Sequence, residues 1–307
     1  MKRFFCLMLA VLTAFSVVAC NKNQDVESDS SYFKEESEST MEKTKTISTL
    51  DYANYGRMGD LDGPAFAVYS KQGYTGAVVD IDIESSKINC AMSDGKFVNG
   101  YAFLGVDIYG LFEWENCVDA GLCWAGADEG WHIFYNMFHP LNEETKTWYE
   151  SRKKLPYNDV YTMSFEIIED NYALLTVKGQ KTGAFDSVRI EVKGAKKDGS
   201  NTAFLFNAAM DFPPDTIIDR NGKVYDYGDA DWIEVVLANT DKGAYLKDLL
   251  VTNMKLLKGD EELKWVDDMN SSVAIWPDKT YQGIDYSPTK VDIYDGSQYY
   301  IHFDMNR

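Results

Sequence analysis

From residue 47 to the C-terminus the chain repeats one pattern. Short runs in which apolar and polar residues alternate, or apolar ones dominate, are broken by Gly, Asp and Asn. "TGAVVDIDIE" (75–84), "VYTMSFEII" (160–168), "YALLTVKG" (172–179), "SVRIEVKG" (187–194), "TAFLFNAAM" (202–210) and "YYIHFDM" (299–305) are examples. Period-two alternation with β-branched and aromatic enrichment predicts strands, and no stretch holds helical periodicity for three turns. "IIEDNYALL" predicts a tight hairpin turning at Asp170 and Asn171. Many short strands at steady spacing predict one all-β domain over 47–307, a β-sandwich or jelly roll.

Two strands place acids where chemistry is possible. "DIDIE" puts Asp80, Asp82 and Glu84 on one face and Val79, Ile81 and Ile83 on the other. Its spacing resembles the ExDxE signature of family 16 glycoside hydrolases with the first glutamate shortened, and it is also what any half-exposed strand of an acidic protein shows. "NCVDAGLCW" (116–124) puts Val118, Ala120, Leu122 and Trp124 on an apolar face. Asp119 then leaves on the opposite face with Cys117, Gly121 and Cys123.

The first residues break the pattern. Lys2 and Arg3 precede an apolar run of about 16 residues, short for a membrane span and right for an export signal over residues 1–19. "VVAC" at Val17 to Cys20 resembles the lipobox of bacterial lipoproteins, with valine in place of the commoner leucine. That resemblance implies cleavage before Cys20 and acylation of its thiol. The protein would then be held at the cell membrane or outer membrane, on its extracytoplasmic side, by lipid alone. Residues 20–46 are rich in Ser, Glu and Lys with few apolar side chains, which predicts a flexible tether reaching about 30 Å.

The formal charge of −19 becomes two units more negative once Lys2 and Arg3 leave with the signal. Such a surface repels phosphate backbones, which argues against nucleic acid as a partner. Of the cysteines in the body, Cys117 and Cys123 would lie about 20 Å apart on one strand, too far to pair. Either needs Cys90 or stays a thiol, and buried thiols are the simpler reading. His132, His139 and His302 show no metal-binding spacing. In "DRNGKVYDYGDAD" (219–231), Asp219, Asn221, Asp226 and Asp229 are the candidate oxygen ligands for calcium, or the members of a solvated acidic loop.

One longer resemblance involves Asp119. The order "FLGVDIYG", "CVDAGLCW", "GWHIFYN" and "GDADWIEVV" resembles the glutamic peptidases (eqolisins), and it implies a concanavalin A-like jelly-roll β-sandwich. Asp119 stands where that family has its catalytic Gln, and Asp231 where it has its catalytic Glu. A carboxylate cannot donate to an oxyanion unless protonated, so the family's reaction does not carry over directly. Asp119 and Asp231 would instead form a carboxylate pair of raised and lowered pKa, the basis of a hydrolase reading. Against it stands a binding reading for a glycan or peptide. Trp114, Trp124, Trp131 and Tyr135 cluster in sequence, and flat rings stack on sugars and fill interface hot spots.

Overall fold

The alternation in sequence reappears as alternation in burial. Val160–Glu169 and Gln298–Asp304 switch between buried and half-buried at every residue until their ends. The structure is a computed structural model. It describes residues 43–48, 64–91, 95, 97–111, 113–125, 130–210, 216–219, 224–226, 235–236, 243–276, 289–294 and 297–304.

The strands fall into two large antiparallel sheets. The ten-stranded sheet is built from β1 (Lys43–Ser48), β3 (Gly76–Asp82), β4 (Lys87–Asn89), β9 (Val160–Glu169) and β10 (Tyr172–Gly179). Its other members are β11 (Phe185–Glu191), β16 (Tyr245–Lys258), β17 (Glu261–Lys264), β19 (Thr289–Tyr294) and β20 (Gln298–Asp304). The seven-stranded sheet contains β2 (Ala65–Gln72), β5 (Gly100–Tyr109), β6 (Trp114–Trp124) and β7 (Trp131–Met137). It is completed by β8 (Trp148–Glu150), β12 (Thr202–Met210) and β18 (Asn270–Trp276), in the order β18-β2-β12-β5-β6-β7-β8. A small sheet holds β13 (Thr216–Asp219), β14 (Val224–Asp226) and β15 (Val235–Val236). Among the described residues the one helical element is a 3-10 turn at Asp267–Met269. The protein is therefore all-β, in a two-sheet arrangement consistent with a β-sandwich.

One apolar cluster joins the sheets. Val79, Ile81, Phe165, Leu256 and Ile301 of the ten-stranded sheet meet Phe66, Leu104, Val118, Leu122 and Phe204 of the seven-stranded one. A second cluster, Tyr69, Tyr101, Phe103, Cys123, Phe134, Leu205 and several alanines, draws only on the seven-stranded sheet and so lies on its outer face. Every residue of β12 and the first nine of β5 are buried as a result. This explains why those two strands read as nearly continuous apolar runs rather than clean alternation: both of their faces are covered.

One local feature matches the sequence reading and two go beyond it. The β9–β10 hairpin turns through Asp170 and Asn171, and Asn171 takes φ 66°, a left-handed conformation that Asn tolerates. Gly121 allows close approach, since a Cβ there would lie 2.5 Å from the Cα of Phe103. The folded body begins earlier than expected, because β1 pairs with β19 and takes in residues 43–46 of the predicted tether.

Candidate functional site

Pairing fixes where Asp119 sits. It stands opposite Gly105 on β5 and Asn136 on β7, while Val118, Ala120 and Leu122 on either side of it enter the core between the sheets. Its side chain is half-buried on the outer face of the seven-stranded sheet. Gly105 makes room for it. A Cβ at Gly105 would lie 2.7 Å from Asp119 Oδ1 and 2.9 Å from Leu205 Cγ, so the carboxylate leans across β5 towards β12.

Next to it lies an aromatic floor. The Phe134 ring is 5.7 Å from Phe103, edge-on, and 5.3 Å from both Tyr101 and Trp148. Phe103 and Phe134 are buried, whereas Trp148, Asn136, Asp119 and Cys117 keep part of their surface in solvent. The accessible end of this face therefore lies over β6, β7 and β8. At the other end, over β12, Asn207 is 1% exposed and its Oδ1 has no hydrogen-bond partner. Parity with Asp119 singles out Gly105, Phe103 and Phe134 once the strands are paired. Trp148, on a three-residue strand after a polar loop, carries no such signal.

The rings singled out by sequence clustering do not form one surface. Trp131 is fully buried and Trp124 is 5% exposed, and the two pack edge-on at 5.8 Å within the inter-sheet core. Trp131 is thus a core residue with no face to offer a ligand, which corrects the sequence expectation. Trp124 reaches only the floor of a cavity of about 450 Å³ that Phe97 and Tyr157 also line. Tyr135 is half-buried against the same core, stacked on Tyr149 at 5.2 Å, and burial, with the charge of Glu191, raises its phenol pKa. Trp114 is half-buried, donates Nε1–H to Asp107 Oδ1 at 3.1 Å and leans on Phe138 at 5.3 Å. Density of aromatics along the chain was a poor guide because three of the four rings, Trp124, Trp131 and Tyr135, turn towards the inter-sheet core.

The remaining candidates lie elsewhere. Asp80, Asp82 and Glu84 are on the outer face of the ten-stranded sheet, on the far side of the sandwich from Asp119. Asp80 accepts from Thr162 and Asn253, Asp82 from the Ser85 amide, and Glu84 pairs with Lys181. They behave as an ordinary solvated strand face. The histidines do not converge: His132 is buried with Nδ1 2.8 Å from the Ser151 carbonyl, His139 is exposed, and His302 lies beside Asp248 on the ten-stranded sheet. Burial lowers the His302 pKa, which the Asp248 charge opposes. Cys90 and Cys123 are buried, Cys117 is half-buried, and no disulfide joins them. In the calcium candidate, Asp219 ends β13 and Asp226 stands opposite Thr216, at the other end of the β13–β14 ladder. Asn221 and Asp229 lie outside the described residues, as do Asp231 and Cys20.

No family model matches the chain, and no curated protein matches it. Among solved structures, scytalido-glutamic peptidase with a transition state analog inhibitor is similar at 12% identity and a TM-score of 0.45, over 79% of this chain and 98% of that one. SCP-B, a member of the Eqolisin family of peptidases in complex with the tripeptide Ala-Ile-His, is similar at 13% identity and a TM-score of 0.42, over 80% and 98%. The peptidase aspergilloglutamic peptidase from Aspergillus niger follows at 13% identity and a TM-score of 0.34, over 68% and 99%. These are weak likenesses; the fold and the site stand on the strand pairing and burial above.

Proposed function

We propose that the chain is a lipid-anchored cell-envelope protein whose sandwich, a jelly roll of the concanavalin A-like kind, binds a glycan or peptide on the outer face of its seven-stranded sheet. One observation carries the reading: an aromatic floor, Tyr101–Phe134–Trp148, runs beside the partly exposed polar pair Asp119 and Asn136. Tyr101 and Phe134 are buried and back the half-buried Trp148, the ring of the three that solvent reaches, and a ring flanked by a few polar groups is how concave sites hold planar or extended ligands. Trp148 replaces Trp124 and Trp131 as the ring expected to meet ligand.

The test is a glycan and peptide array on the wild type and on Trp148→Ala. Loss of one stacking ring should cost about 1–3 kcal/mol of binding, by analogy with bases stacked on aromatics. Unchanged binding in Trp148→Ala would sink the site. If the bound ligand is recovered cleaved, and Asp119→Asn abolishes the cleavage while keeping the binding, the hydrolase reading takes over with Asp231 as the second carboxylate. Calcium at residues 219–231 belongs to the same proposal, on the density of carboxylates in that stretch alone.

Anchoring is tested separately. Cys20→Ser removes the acceptor thiol and should move the protein from the membrane to the soluble fraction, because two or three acyl chains anchor stably where a single chain would not. A membrane pool of undiminished size would refute the anchor and leave the binding site untouched.

A further inference from the structure

Three rings from distant parts of the chain meet at the end of the sandwich where β5 begins and β6 ends. Phe97 precedes β5, Trp124 closes β6 and Tyr157 lies between β8 and β9, and together with β4 they line a cavity of about 450 Å³. That size falls within the roughly 300–1,000 Å³ of small-molecule sites. Trp124 is backed edge-on by Trp131 at 5.8 Å, and Tyr157 stands against it at 5.1 Å with the ring planes 65° apart. Phe97 and Tyr157 are each 49% exposed. Large rings left half in water around one cavity are surface that a ligand can cover.

Both exposed rings are set on pinned backbone. Tyr157 sits between Leu155, whose amide donates to the Trp131 carbonyl at 2.9 Å, and Asp159, which accepts from the amides of Lys181 and Thr182. Phe97 is bridged to Ala91, and the Val98 amide donates to the Cys90 carbonyl at 2.9 Å. On the same stretch the Asn89 side-chain amide donates to the carbonyls of Ala91 and Gly243. Rings held in place before a ligand arrives lose little freedom when it binds.

Charge narrows the ligand class. Among the described residues that line the cavity, the one charged group is Lys87, and Asp248 meets it at 2.9 Å. A cation therefore finds rings without a counter-ion, and an anion finds a lysine already paired in a chain of formal charge −19. The polar edge suits hydroxyl groups. The Ser86 hydroxyl donates to the Ile83 carbonyl at 2.8 Å and can still accept, and the Lys87 ammonium has N–H groups beyond the one that Asp248 takes. A pyranose answers both sides of the cavity, since its C–H face stacks on an aromatic ring while its hydroxyls donate and accept.

We propose that this cavity is a second ligand site, one that takes a neutral sugar, with a pyranose ring stacked against Phe97 and Tyr157 above Trp124. It does not depend on the outer face of the seven-stranded sheet binding anything.

The experiment titrates the full chain with four neutral disaccharides: cellobiose, lactose, maltose and diacetylchitobiose. Indole, a flat ring without hydroxyls, and choline, a cation, are titrated beside them, with saturation-transfer NMR and calorimetry as readouts. At least one disaccharide should bind saturably, with an affinity that barely changes on adding salt, since no charge pairs with the sugar. Phe97→Ala and Tyr157→Ala should each weaken that disaccharide about tenfold or more, the size of one lost stacking contact. Their melting temperatures should stay close to that of the wild type, because both rings are half exposed. Tyr157→Phe keeps the ring and should keep most of the binding.

Absence of saturable binding by all four disaccharides overturns the proposal, whether or not indole or choline binds. So does disaccharide binding that Phe97→Ala or Tyr157→Ala leaves at full strength; if Trp148→Ala removes that binding, the sugar belongs to the outer face and the function proposed above stands. A loss in Tyr157→Phe as deep as in Tyr157→Ala would put recognition on the hydroxyl and overturn the stacking.

Discussion

An Asp159→Ala chain should lose about 4 kcal/mol of folding free energy, since three amide donors and a hydroxyl lose one buried acceptor at about 1–3 kcal/mol each and partial relaxation recovers some of it. Asp159 is fully buried just before β9. Its Oδ1 accepts from the amides of Val160 and Lys181, both at 2.8 Å. Its Oδ2 accepts from the Thr182 amide at 3.0 Å and from the Thr182 hydroxyl. One carboxylate thus ties the start of β9 to the turn between β10 and β11, and Gly179 leaves it space, because a Cβ there would fall 2.1 Å from Oδ2. Asp159→Asn keeps the shape but turns an NH₂ towards a donor, so it should fall between the wild type and the alanine variant. Urea unfolding with an unchanged m-value is the measurement. A loss under about 1 kcal/mol, the ordinary cost of a surface change, would show that water replaces the carboxylate.

The same group sets an acid dependence whose sign follows from its environment. Burial on its own would raise the pKa, but the Thr182 hydroxyl and the amides of Lys181, Thr182 and Val160 outweigh it and hold Asp159 below the usual carboxylate value. A folded pKa below the unfolded one, about 3.9, means the contribution is complete above that value and is lost as pH falls through the folded one. The gap between wild type and Asp159→Ala should therefore be constant near neutrality and narrow only in acid. Tyr161 next door is pushed up to about 12, by burial first and by the Asp159 charge second. It stays a neutral phenol that donates to the Pro156 carbonyl.

How much of this the sequence contains differs from element to element. Strands buried on one face, such as β9, β10 and β20, were plain, because alternation records which side meets the core. The Asp170–Asn171 turn was plain too, because few residue pairs accept its backbone. The side on which Asp119 leaves β6 followed from parity alone. Its neighbours did not, because Gly105, Asn136, Leu205 and Asn207 come from strands up to about 90 residues away, and their register is set by pairing that a single strand's pattern does not encode. Asp159 gave no sign in "LPYNDVY", where Asn and Asp look like any turn. The role of an acid that accepts from a distant turn becomes visible only once that turn is folded against it.

Tryptophan is where linear reading and structure part most clearly, and two substitutions separate them. Trp131→Ala empties a fully buried site packed against Trp124 and should destabilise the fold by about 3–5 kcal/mol, the cost of deleting a large aromatic from a core. Trp148→Ala trims a half-buried ring at the rim of the outer-face cluster, where solvent can fill the space, and should cost under about 1.5 kcal/mol of stability while removing most of the binding. The two variants should therefore move in opposite senses on a plot of melting temperature against affinity. Trp131→Ala should melt far lower, yet bind with near wild-type affinity at a temperature where it is still folded. The cleanest check is to measure thermal melts and array binding on both variants at 10 °C. If Trp131→Ala retains its stability, the ring is not the core residue that its burial makes it; if it loses binding while folded, the ligand reaches the inter-sheet core and the outer face is the wrong side of the sheet.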